Sequence, residues 1–210
     1  MPDEEKTTIE FMKQEYTGIC QAFGDLYNVI LRVFNFYLLL AAVPFTVAAI
    51  IFKSPESQFD LEGLPLPMST LLLLVSTLGL LITLSMIHLR MEQILYAKTI
   101  NCIRRYFCET DINLEKKIDN YLTLPITDEL PPFLELWRLF FWQVTLIGFI
   151  DAVYFLIALI NLYKFSLRVW VFFSILFFLF HVFIYIAAAV RRKRNYKIKC
   201  PAIPGRAENY

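Results

Sequence analysis

The chain has 210 residues, 58% of them hydrophobic and only 19% charged, with a formal net charge of +1. A soluble domain of this size needs more polar surface to cover its core, so much of the apolar area must face something other than water. A net charge so close to zero argues neither for nor against nucleic acid, and the distribution of the charges carries more information than their sum.

Clustering of the apolar residues decides the class. Four runs stand out, 33–52, 69–89, 139–163 and 169–190. Runs of about twenty residues match the roughly 30 Å hydrocarbon core of a bilayer. The expected fold is all-α: an integral membrane protein with four transmembrane helices, forming two antiparallel hairpins with cytoplasmic helical extensions. The expected divisions are 1–108 (N-terminal helix and first hairpin with its extension), 109–137 (cytoplasmic connector), 138–190 (second hairpin) and 191–210 (basic cytoplasmic tail).

The chain opens on Met1-Pro2-Asp3-Glu4-Glu5-Lys6. A secretory leader has a basic start followed at once by an apolar core; this start is acidic and its first apolar run begins near residue 33, so no cleaved leader is expected. Within 8–31, Ile9, Met12, Tyr16, Ile19, Phe23, Leu26 and Ile30 recur at steps of three and four, with Glu10, Lys13, Gln14, Gln21 and Asp25 on the other sides. That pattern predicts one long helix entering the membrane near Arg32. Pro44 should kink the first span. The 53–68 loop carries Lys53 against Glu56, Asp60 and Glu62.

The second span is expected to continue beyond the bilayer, because no Gly or Pro occurs between Arg90 and Phe107. Met91, Leu95, Cys102 and Tyr106 form one stripe there, and Tyr96, Ile100, Ile103 and Phe107 another. These stripes can be buried against the 8–31 helix, and a helix from another copy could cover the remainder. Residues 109–120 turn polar and predict a short helix; Pro125, Pro131 and Pro132 then interrupt the chain, and the third span can start at Pro132.

Basic residues fix the orientation. Arg90, Lys98, Arg104, Arg105, Lys116 and Lys117 follow the second span, and Arg191-Arg192-Lys193-Arg194 follow the fourth. Such residues stay cytoplasmic, which puts both termini and 90–136 inside and the two short loops outside, in agreement with four spans. The Arg191–Arg194 run is explained by this anchoring and by anionic lipid, without nucleic acid. Trp137 and Trp142 are expected at the inner interface and Trp170 at the outer one. All four cysteines, Cys20, Cys102, Cys108 and Cys200, fall on the inner side, where free thiols and no disulfide are expected. Cys200 follows a polybasic stretch, which leaves reversible acylation open beside a plain thiol. The cysteine spacing does not fit zinc, so no metal is expected.

Small polar residues in the spans, Thr46, Ser76, Thr77, Thr83, Ser85 and Ser174, are expected at helix contacts or bonded back to their own helix. Gly79 and the Gly148/Ala152 pair offer close approach. Asp151 and His181 carry more weight. Each lies about fifteen residues from the turn near 165–166, so antiparallel helices would set them at nearly one depth. A lone carboxylate there costs about 2.5–3.5 kcal/mol even on insertion scales. An Asp–His hydrogen bond lowers that cost. Two readings stay open: a proton- or ion-linked site, or a fully satisfied polar clamp.

No phosphate loop, His-Glu-x-x-His or Gly-x-Ser-x-Gly elbow is present, and His88 at the end of the second span reads as interfacial. No catalytic centre and no cofactor are expected, and the protein reads as a non-enzyme.

The stretch Tyr96-Ala-Lys-Thr-Ile-Asn-Cys-Ile-Arg-Arg-Tyr-Phe107 follows directly on a two-span hairpin. In that layout the chain resembles the small multi-span membrane effectors of bacterial conflict and antiphage systems, both the two-span SLATT type and the four-span domains linked to nucleotide signalling. The resemblance implies antiviral defence at the bacterial inner (plasma) membrane, through homo-oligomers that permeabilise it when a cytosolic sensor switches them on. The chain departs from that pattern in carrying no recognisable nucleotide-binding domain, so the sensor would be a separate protein. The expected function is a channel-like effector subunit, with Asp151 and His181 as an intramembrane polar pair and Arg104, Arg105, Tyr106 and Phe107 as the cytoplasmic contact surface. The alternatives are an anchor or scaffold for a cytosolic partner, and a small transporter.

Overall fold

A computed structural model describes residues 3–51, 64–110, 139–163 and 166–195, all of them helical or in the turns that join helices. The described residues form four long helices: α1 (Asp3–Ile51), α2 (Leu66–Thr110), α3 (Leu139–Leu162) and α4 (Leu167–Asn195). Each is long and apolar enough to cross a membrane, and together they make the chain an integral, multi-pass membrane protein. The short helix expected at 109–120 and a start of the third span at Pro132 lie outside the described residues.

Two compact units divide the chain, and α1 and α2 contribute to both. Of the described residues, the first takes in 3–28, 89–110 and 194–195; the second takes in 29–51, 64–88, 139–163 and 166–193. At 49 and 45 residues, α1 and α2 are each about 70 Å long, twice what a bilayer needs. The expectation of long helices running on from the first two spans is met in length, since α1 has no break from residue 3 to 51 and α2 none from 66 to 110.

In the first unit the predicted α1 stripe is the half-buried one. Ile9, Met12, Tyr16, Ile19, Phe23 and Leu26 are half-buried, and Glu10, Lys13, Gln14, Gln21 and Asp25 are exposed. The α2 stripes are met in part: Ile103 is buried and Met91, Leu95, Ile100, Cys102 and Phe107 are half-buried, but Tyr96 is exposed and Gln93, Ile94 and Lys98 are buried beside them. Two polar side chains thus sit on the buried face. Gln93 accepts a hydrogen bond from Arg90, and the long aliphatic stem of a lysine covers apolar surface as readily as an alkyl chain. Burial also raises the Tyr16 hydroxyl above its ordinary pKa, aided by the neighbouring Cys20 and opposed by Arg104.

Gly18 and Gly24 in α1 have nothing within 4 Å of where a Cβ would stand. Alanine at both removes backbone entropy from the unfolded chain without a clash. The double variant is expected to stabilise this helix by about 1–2 kcal/mol, read as a higher denaturation midpoint.

The expectation of four free thiols is corrected at one position: Cys20 is a free thiol, but Cys102 is disulfide-bonded. The expectation followed from compartment alone, whereas bonding depends on which chain segments approach, and that is not visible in cysteine spacing. Alkylation of the denatured, unreduced chain is expected to reach two fewer thiols than alkylation after reduction.

In the second unit the exposed surface is apolar, as a lipid-facing surface must be. Phe36, Leu39 and Phe45 on α1, Leu74 and Leu81 on α2, and Phe172, Phe180 and Phe183 on α4 are all exposed. Thr46, Thr77, Ser85 and Thr145 each donate to the carbonyl four residues back, so their hydroxyls are satisfied without a neighbour. At one end, Pro65 and Pro67 open α2, and the Leu64 N–H donates to Asn161 Oδ1 at 3.0 Å, tying the end of α3 to the start of α2. Trp170, expected at the outer interface, is buried against the protein in the first turn of α4. Its indole N–H donates to the Tyr163 carbonyl at 3.3 Å and clasps the α3–α4 turn. Trp142 is exposed, as an interfacial anchor would be.

Candidate functional site

The second unit has a polar centre in a largely apolar interior. Asp151 and His181 are both fully buried. Their equal distance from the α3–α4 turn predicts a common depth, and they do meet: His181 Nε2 lies 3.1 Å from Asp151 Oδ2. On its other edge the imidazole contacts its own helix, with Nδ1 3.0 Å from the Phe177 carbonyl oxygen. The Phe177 ring stacks on Phe155 of α3 at 4.6 Å and meets the imidazole edge-on at 4.9 Å, which fixes the rotation of α4 against α3.

α1 completes the carboxylate. The Tyr37 hydroxyl, fully buried, donates to Asp151 Oδ1 at 2.8 Å and lies 3.3 Å from the Ile147 carbonyl. One turn along α3, the Tyr154 hydroxyl donates in the opposite sense to the Ala41 carbonyl of α1. Ala41 lies in the turn before the buried Pro44, where proline leaves the helix short of a donor and carbonyls seek partners from neighbouring helices.

α2 supplies space and one bond. The Ser76 hydroxyl donates to the Asp151 backbone carbonyl at 3.0 Å. A Cβ on Gly79 would fall inside the Asp151 carboxylate, so only glycine leaves room for it. Gly148 plays a milder part, since a Cβ there would stand 3.0 Å from the Cβ of His181.

All four helices therefore converge on one carboxylate. Both of its oxygens, its backbone carbonyl and both imidazole nitrogens have partners. Such a node is worth having in a membrane, where apolar contact alone gives helices little reason to prefer each other over lipid. Among the described residues, the buried hydroxyls of Ser69, Thr83 and Ser174 stand outside it without partners. Among the described residues, no three His, Cys, Asp or Glu converge in a way that could hold a metal.

Sequence reasoning reached Asp151, His181, Gly79, Gly148 and Ser76 but not Tyr37 or Tyr154. The signal was present, because a tyrosine in the middle of a span must find a partner for its hydroxyl. The predicted contact surface lies in the first unit. Arg104, Arg105 and Phe107 are half-buried there and each is already engaged within the chain; the Tyr106 side chain lies outside the described residues. Comparison with protein-family models, with curated proteins and with solved structures finds no match for this chain.

Proposed function

We propose that this protein is a non-enzymatic membrane effector or channel-like subunit that acts on membrane integrity as a homo-oligomer and is controlled through the ends of α1 and α2 that leave the bilayer on its cytoplasmic side. One observation carries the reading. The two helices that contact Asp151 from outside its own hairpin, α1 through Tyr37 and α2 through Ser76 and Gly79, are the two that run on unbroken to residues 3 and 110. A helix without a proline or glycine hinge transmits rotation and translation along its axis. α1 has no glycine or proline between Gly24 and Tyr37, and α2 has none after Gly79. In this reading a partner or ligand that shifts residues 25–28 or 89–110 acts on the node. The node serves as a latch: closed, it keeps four spans packed and dry; released, it frees their faces to assemble with other copies. The resemblance of 96–107 to antiphage effectors agrees with this, with a separate cytosolic protein as the trigger and the bacterial inner membrane as the target.

The rival is a scaffold that recruits a cytosolic partner through 90–136 and conducts nothing. Expression in bacteria with a membrane-impermeant dye separates the two. The effector predicts dye uptake and growth arrest, with uptake rising several-fold in Tyr37→Phe, which removes one latch hydrogen bond at nearly constant volume. Normal dye exclusion by both proteins at matched membrane levels favours the scaffold.

A further inference from the structure

The hydrogen bonds around His181 fix how many protons the pair holds. A backbone carbonyl only accepts, so the contact from Nδ1 to the Phe177 oxygen places a hydrogen on Nδ1. The Nε2–Oδ2 contact at 3.1 Å then needs one hydrogen between its two atoms, on either one. If it sits on Oδ2, both groups are neutral. If it sits on Nε2, the two are an ion pair. Net charge is zero in both cases. Oδ1 takes its hydrogen from Tyr37, whose closer partner is that oxygen at 2.8 Å rather than the Ile147 carbonyl at 3.3 Å. A second proton would leave a buried net charge of +1 and loss of the first a charge of −1. Either is costly in hydrocarbon.

We propose that Asp151 and His181 form a proton-binding site that holds one proton between Oδ2 and Nε2 while the four helices are packed, and that separating the helices at neutral pH releases this proton to water. The inference does not depend on whether the protein permeabilises membranes. Once wetted, the carboxyl and the imidazole titrate as in water, near ~3.9 and ~6.5. Between those values the separated groups still carry one proton, on the imidazole, and separation exchanges none. Above about 6.5 they carry none, so separation releases one; below about 3.9 they carry two, so separation takes one up. The packed state therefore binds more protons than the open state above about 6.5, and rising pH there favours opening, tenfold per pH unit for one proton.

Among the described residues, no other group facing the pair interferes. α1 presents Tyr37 and α3 presents Tyr154, α2 presents Ser76 and Gly79, and α4 presents Phe177 with Tyr185 one turn on. A phenol titrates near ~10 even in water, outside the range concerned.

The test uses the full chain in an uncharged detergent, with the unfolding equilibrium measured from pH 5 to 8.5 for the wild type and for Asp151→Asn. The amide of the variant donates to Nε2 and accepts from Tyr37 but has no proton to release. Between pH 7 and 8.5 the wild-type unfolding constant should rise about tenfold per pH unit more steeply than that of the variant. Equal slopes overturn the proposal. Should the variant fail to fold, nitrogen NMR of histidine-labelled protein decides. There are two histidines, His88 and His181, and His88→Gln assigns them. In the packed wild type the His181 signals should hold constant across that pH range with Nδ1 protonated. A His181 titration centred near ~6.5, as in water, overturns the proposal.

Discussion

Gly79→Ala is expected to cost about 3–5 kcal/mol of bundle stability, far more than a methyl group usually does. The new Cβ would occupy the space of the Asp151 carboxylate. That carboxylate has no free direction in which to swing, since Tyr37 holds one oxygen and His181 the other. Moving it aside strands two buried polar groups at about 1–3 kcal/mol each and adds overpacking of similar size. Gly148→Ala meets the His181 Cβ at 3.0 Å and asks α4 to yield only a few tenths of an ångström, so about 1–2 kcal/mol is expected there. Reversible unfolding in mixed micelles measures both. A cost for Gly79→Ala no larger than for Gly148→Ala would show that the carboxylate does not sit where the packing puts it.

Asp151→Ala is expected to cost about 3–4 kcal/mol, and Asp151→Asn less than about 1 kcal/mol at pH 5.5. The alanine leaves His181 Nε2 and the Tyr37 hydroxyl unpaired around a cavity. The asparagine reproduces both contacts. The two sites are then strongly coupled: the methyl group of Gly79→Ala fits the cavity left by Asp151→Ala, so the double variant should be more stable than the sum of the single costs by about 2–3 kcal/mol. Additivity would sever the link between the glycine and the carboxylate. A large cost for asparagine together with a small one for alanine would mean that charge, rather than hydrogen bonding, holds the node.

Much of this architecture is legible in the residues themselves, and the part that is not has a common cause. Hydropathy and length identify four helices, because both are properties of each segment alone. The stripe from Ile9 to Leu26 is readable for the same reason: helical period is local, and α1 buries the face its period marks. The depth of Asp151 and His181 follows from counting back from one tight turn. Rotation of a helix about its own axis is not local. The α2 stripe shifts to include Gln93 and Lys98, because a helix with apolar residues on several sides leaves its buried side to be chosen by the neighbour. Tyr37 meets Asp151 across 114 positions of sequence, and nothing in either segment announces the other. The bonded Cys102 belongs to the same class of long-range approach.

The bond at Cys102 also bears on orientation. The charge rule expects 89–110 on the cytoplasmic side, which is normally reducing, whereas a disulfide persists most readily outside it. Reporter fusions at residues 60 and 200 decide between them, and the charge rule predicts opposite compartments, with 200 inside.

The central claim is that the exposed apolar faces of all four helices lie in hydrocarbon around a dry carboxylate. Spin labels at Leu39, Leu74, Phe149 and Phe180, one exposed position per helix, test it in reconstituted vesicles from a cysteine-free chain. Membrane-soluble oxygen should relax all four labels strongly and a water-soluble nickel complex should not. Relaxation by nickel at any of the four would take that helix out of the membrane and the latch with it.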